Sequence, residues 1–155
     1  PTVEAWQATT SILAAGPWHW YFLMQPAPLP ETLIGNSADY FIRSRFPKNS
    51  AVFPPEAVDE YARCFTPEAI HAMCEDYRAA ATIDLKHDEA DAGAKLTMPL
   101  LVLWGKAGGA ARGAAPLDIW QRYATDVRGK ELPCGHYLAE ELPDEVYAEL
   151  HAFFG

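Results

Sequence analysis

His136 lies in Pro133-Cys-Gly-His136, a loop entered from a short extended stretch and followed by Tyr137-Leu-Ala-Glu-Glu141. An imidazole titrates near neutral pH, so a histidine in such a loop suits general-base work on a bound water. The plain alternative is a loop histidine that caps a helix or bonds a carbonyl. Other polar groupings promise less. His87-Asp88-Glu89 with Asp91 resembles a metal-ligand set, but it lacks the i, i+4 histidine pair of helical zinc sites and reads as a solvated helix end. No metal site is predicted. His71 and His151 read as surface residues, and Arg78 as a salt-bridge partner of Glu75 or Asp76. Lys106-Ala-Gly-Gly109 fits neither a P-loop nor a dinucleotide fingerprint. Neither Gly-x-Ser-x-Gly nor Gly-x-Asp-x-Gly occurs, so the sequence shows no recognisable nucleophile elbow.

The elements that must carry these residues change character near Met98. Before it, the pattern is helical and broken by proline. Gly16-Pro17 ends a first amphipathic helix, and Pro26-Ala-Pro-Leu-Pro30 predicts an extended, polyproline-like connection. Pro55 opens a helix bearing Val58, Tyr61, Ala62 and Phe65. Thr66 reads as an N-cap with Pro67 at the first helical position, and the helix that follows places Ile70, Met73, Cys74, Tyr77 and Ala81 on one face. After Pro99 the pattern differs. Leu100 to Trp104 is a continuous apolar run ended by Gly105, as expected of a parallel strand buried on both faces. A Gly/Ala-rich loop, a helix from Pro116 to Ala124, a weaker strand over 127–132 and a final helix from Pro143 follow.

This order is the tail of a doubly wound α/β sheet. The fold class is therefore α/β, with residues 1–95 as a helical cap domain and 96–155 as the C-terminal part of the core. Two parallel strands do not make a stable sheet alone. The expectation is that the N-terminal half of the core precedes Pro1.

The 155 residues are 50% hydrophobic, 12% aromatic and 21% charged. Such a chain has enough apolar surface to order itself, which excludes intrinsic disorder. Its apolar runs fall far below the roughly 20 residues of a membrane span. A net charge of −9 and a pI near 4.9 argue against nucleic acid as a partner. The three cysteines, Cys64, Cys74 and Cys134, show no metal-like spacing and read as buried free thiols in a reducing, cytoplasmic setting.

Gly135-His136-Tyr-Leu-Ala-Glu-Glu141-Leu-Pro143 resembles the histidine loop of α/β-hydrolases, and Leu-Val-Leu-Trp104-Gly105 their penultimate strand. Within that superfamily, Trp18-His19-Trp20 through Leu33 is similar to the cap of haloacetate (fluoroacetate) dehalogenases. So are Cys74-Glu75-Asp76-Tyr77-Arg78 and Leu85-Lys-His87-Asp88. The resemblance runs essentially from Pro1 to Gly155, and the cap segments are its most specific part.

It implies hydrolytic dehalogenation of a haloacetate to glycolate and halide. An Asp carboxylate displaces the halide, and water activated by a His hydrolyses the resulting ester. His136 would be that base, while His19, Trp20 and Tyr77 would donate hydrogen bonds to the departing halide. Their alternatives are a partly buried helix His and plain core packing. On a regular helix His19 and Trp20 point about 100° apart, so a shared pocket calls for a bend after Gly16-Pro17. In the family the orienting Asp ends the strand before the cap, which would fall upstream of Pro1, with the nucleophile and the carboxylate-binding arginines. The chain alone is accordingly expected to be inactive. No cofactor is implied, the partner is a small haloacid, and an aromatic-rich cap is compatible with a homodimer. An esterase, an epoxide hydrolase, or an inactive fragment acting as a helical interaction module are the rival readings.

Overall fold

The computed structural model describes residues 16–47, 50–108 and 115–155, which divide between two compact units, Pro1–Asp91 and Ala92–Gly155. The amphipathic stretch before Gly16 and most of the Gly/Ala-rich loop after Gly108 lie outside the described residues.

The first unit is helical throughout its described part: α1 (Trp18–Leu23), α2 (Leu29–Gly35), α3 (Ala38–Arg43), α4 (Pro55–Cys64), α5 (Pro67–Ala80) and α6 (Ile83–Ala90). The central element is α5. Its Thr66 cap accepts from the Ala69 N–H at 3.3 Å, Pro67 occupies the first turn where no amide is needed, and Glu68 complements the helix dipole. Its apolar stripe closes the core: Ile70 and Cys74 are buried with Leu23 and Ile34, and Phe22, Phe41, Phe65, Met73 and Tyr77 pack around them. Burying a side chain of this size stabilises by about 1.5–3 kcal/mol.

The proline run differs from its expectation. Only its first residues connect α1 to α2, because α2 starts at Leu29 and takes Pro30 into its first turn. There the missing amide costs nothing, and the Thr32 N–H reaches the Pro28 carbonyl at 2.9 Å. Cys64 also departs from expectation. It is exposed at the end of α4, beside Arg63 and Glu60, whereas Cys74 and Cys134 are buried.

The second unit contains β1 (Leu100–Gly105), α7 (Pro116–Tyr123), β2 (Val127–Leu132), α8 (Leu138–Glu141) and α9 (Pro143–Phe154). The strands pair in parallel, from Leu100 with Val127 to Gly105 with Leu132, and α7 packs on both. Expected to be buried on both faces, Leu100 to Trp104 are half-buried. Among the described residues β1 has a strand neighbour on one side only, so its side chains have fewer partners than a central strand's. Leu100, Leu101, Leu103 and Pro99 line an apolar groove of about 410 Å³ with Leu150 and Phe153 of α9. No helix among the described residues is long and apolar enough to cross a membrane.

Candidate active site

Because the strands are parallel, Gly105 and Leu132 end at the same edge of the sheet, and the loop bearing His136 leaves from that edge. Open α/β sheets present ligand-binding groups there. The loop is fastened to the end of β1 through backbone: the Lys106 N–H donates to the Leu132 carbonyl at 2.9 Å and the Ala107 N–H to the Cys134 carbonyl at 3.0 Å. Gly105 makes this approach feasible, since a Cβ there would stand 1.7 Å from the Gly135 carbonyl oxygen.

His136 is exposed, and its ring packs edge-on against Tyr137 at 5.5 Å between centroids. The loop on either side of it is held by one carboxylate. Glu141 accepts from the Gly135 N–H at 2.6 Å and from the Tyr137 N–H at 3.1 Å. Among the described residues no carboxylate bonds the His136 ring. Burial, with Glu141 and Glu145 close by, raises the Cys134 thiol above its usual value and keeps it protonated.

In the helical unit, α1 and α5 bring three of the sequence-selected residues together. The His19 ring lies 6.5 Å from the Trp20 ring and 6.0 Å from the Tyr77 ring, edge-on to both. Both residues lie in the first turn of α1, which starts directly after Gly16-Pro17. Trp18 adds a further edge contact to His19 at 6.1 Å, and Arg45 stands 5.5 Å over the Trp18 ring. His19 Nδ1 is shut off from solvent. Burial and the neighbouring Asp76 push the Tyr77 phenol above its usual value, with Arg45 opposing, so at neutral pH it is an O–H donor.

Arg78 is paired, with a wider set of partners than Glu75 or Asp76. It donates to Glu75, to Glu31 at 2.7 Å and to the Gln25 carbonyl at 2.8 Å, tying α5 to α2 and to the α1–α2 connection. Burial works against the Glu31 carboxylate, but hydrogen bonds from Arg78, the backbone and His71 outweigh it and hold Glu31 below its ordinary range. Glu31, His71 and Glu75 offer atoms within 4.8 Å of one another, a cluster absent from the sequence reading because it joins helices forty residues apart. Arg78 already pairs with both carboxylates and offsets one of their two charges, which weakens their pull on a further cation. His71 and His151 are exposed, as is the segment from His87 to Asp91.

Parallel strands linked by α7, a histidine loop at their carboxyl ends and a separate helical unit are parts of one known architecture. The chain has the fold of the helical cap and the C-terminal part of an α/β-hydrolase core. It is similar to the structure of a candidate α/β-hydrolase from Nostoc sp. PCC 7120, at 48% identity with a TM-score of 0.90, covering 99% of this chain and 54% of that one. A candidate acyltransferase from Salmonella enterica matches at 41% identity with a TM-score of 0.91, covering 99% and 52%. Among characterised proteins, a fluoroacetate dehalogenase from Burkholderia sp. is 35% identical over 99% of this chain and 52% of its own length. The chain thus spans about half the length of the relatives it matches. No family model matches it.

Proposed function

We propose that this chain is the cap and C-terminal core of a hydrolase that removes halide from a haloacetate. The observation that carries the reading is the cluster of His19, Trp20 and Tyr77, an imidazole, an indole and a phenol gathered by α1 and α5. A halide leaving carbon gains a full negative charge, and N–H and O–H donors held in a mostly apolar setting stabilise it. Each such donor is worth about 2.7–4 kcal/mol by analogy with oxyanion holes. The 35% identity to a fluoroacetate dehalogenase over nearly the whole chain supports the same assignment.

In this mechanism an Asp carboxylate outside the present sequence attacks the halogen-bearing carbon. The carbon–halogen bond breaks as the carbon–oxygen bond forms, leaving an aspartyl ester. Water then adds to the ester carbonyl, His136 takes its proton, and glycolate departs with a proton returned. No cofactor is required, and the reaction suits a cytoplasmic protein, monomeric or dimeric.

The test is fluoride release from fluoroacetate by the whole gene product, read with a fluoride electrode beside p-nitrophenyl acetate hydrolysis. Fluoride in stoichiometry with glycolate is expected, with the 155-residue chain inactive by itself. A second reading, acyl transfer, is favoured by the likeness to the Salmonella protein. Ester cleavage without fluoride would count against the first, and acetyl passing to an added alcohol or amine acceptor instead of to water would establish the second.

A further inference from the structure

We infer that Glu141 is the positioning residue of the catalytic histidine, an inference that rests on the function proposed above for His136. Three observations converge on it. Glu141 closes α8, yet its carboxylate turns back to accept both the Gly135 and the Tyr137 N–H, the two amides that flank His136. Gly135 is shaped for this contact: a Cβ there would stand 2.7 Å from Glu141 Oε1 and 3.1 Å from Oε2. The carbonyl of the same residue is pressed against Gly105 at the end of β1. The peptide units before and after His136 are therefore fixed from two directions, by the strand end and by the carboxylate.

Two consequences follow. The amides of Gly135 and Tyr137 are occupied by Glu141, so they do not serve as an anion hole for the reacting ester. A free loop would also let the exposed imidazole sample positions from which it cannot reach the hydrolytic water, and a misplacement of about 1 Å costs on the order of 100-fold in rate. Glu141 acts on ester hydrolysis, the step that uses His136, and leaves halide displacement untouched.

The experiment compares Glu141→Gln and Glu141→Ala in the whole gene product. A glutamine has one acceptor oxygen, and its amide nitrogen would oppose the second N–H, so it restores half of the arrangement. Rapid mixing with fluoroacetate should give a fluoride burst of unchanged rate and amplitude. Steady-state turnover should then fall about 10-fold in Glu141→Gln and about 100-fold in Glu141→Ala, with ester accumulating on the protein. Hydrogen exchange at the Gly135 and Tyr137 amides should be slow in the unsubstituted protein and fast in Glu141→Ala. A general folding defect would lower the burst as well, and that outcome would contradict the inference. Wild-type turnover in both variants would also overturn it, as would unchanged amide exchange. If the unsubstituted protein releases no fluoride, the functional reading fails separately, and amide exchange still decides whether Glu141 holds the loop.

Discussion

At the scale of single residues, the donors proposed for the halide are separable from the base that acts after it. Tyr77→Phe is the sharpest probe of the first group, because it removes the phenol oxygen and keeps the ring that packs against the buried core of its unit and edge-on to His19. The burst of fluoride should slow about 100-fold, in line with the loss of one oxyanion-hole donor. A burst at the wild-type rate would make Tyr77 a core residue and nothing more. His136→Ala should do the reverse, keeping one equivalent of fluoride per site while turnover falls at least about 100-fold. The residues themselves were legible in the sequence only through resemblance. Periodicity placed Tyr77 on the apolar stripe of its helix, which says core. That the His19 ring sits edge-on between Trp20 and Tyr77 depends on how α1 lies against α5, a tertiary fact without a local signal. Glu141 was visible as a letter of the histidine loop, but it reaches back to the N-cap amide of Tyr137 from one position beyond the Glu of a capping box, and its bond to the Gly135 N–H has no local signal.

At the scale of elements, the strongest junctions are an ion pair and a glycine. The Arg78–Glu31 pair joins α5 to α2 with both side chains 16% exposed, so it is screened less than the surface pairs of Arg43 and Arg63. The Glu31 carboxyl sits lower in the folded than in the unfolded protein. Its contribution is fully present above the unfolded value of about 4.3 and drains away as pH falls toward the folded one. Thermal midpoints of wild type and Glu31→Gln should therefore differ at pH 7 and converge as the pH falls below the unfolded value. A gap that stays constant with pH would contradict the pairing. Gly105→Ala should destabilise the second unit by about 3 kcal/mol or more, because the added methyl meets rigid carbonyl backbone and no flexible side chain. Equilibrium urea unfolding reads this directly, and a loss under 1 kcal/mol would contradict it. Helix starts were the most readable elements, since Pro55, Thr66-Pro67, Pro116 and Pro143 each mark one by removing or satisfying an orphan amide. The run Pro26 to Pro30 misled for the same reason: proline is as compatible with a first helical turn as with an extended connector, and the residues around it do not choose.

At the scale of the whole molecule, the element order pointed to a helical unit before the tail of an α/β sheet, resemblance of the histidine loop and cap segments implied an α/β-hydrolase, and the solved relatives share that fold over 99% of the chain. The proposed reaction draws on groups that this sequence does not supply. Toward it the chain would contribute the cluster of His19, Trp20 and Tyr77, a histidine loop held by Glu141, and the framework of each. The central claim is that an enzyme carboxylate displaces the halide from carbon and that water enters afterwards, at the ester. A single turnover of fluoroacetate by the whole gene product in water enriched in oxygen-18 tests this most directly. If water attacks the ester carbonyl under His136, the label ends in the protein carboxylate and the first glycolate is unlabelled. Label in the first glycolate, with none in the protein, would mean that water displaces the halide itself, and the role given to His136 would be wrong.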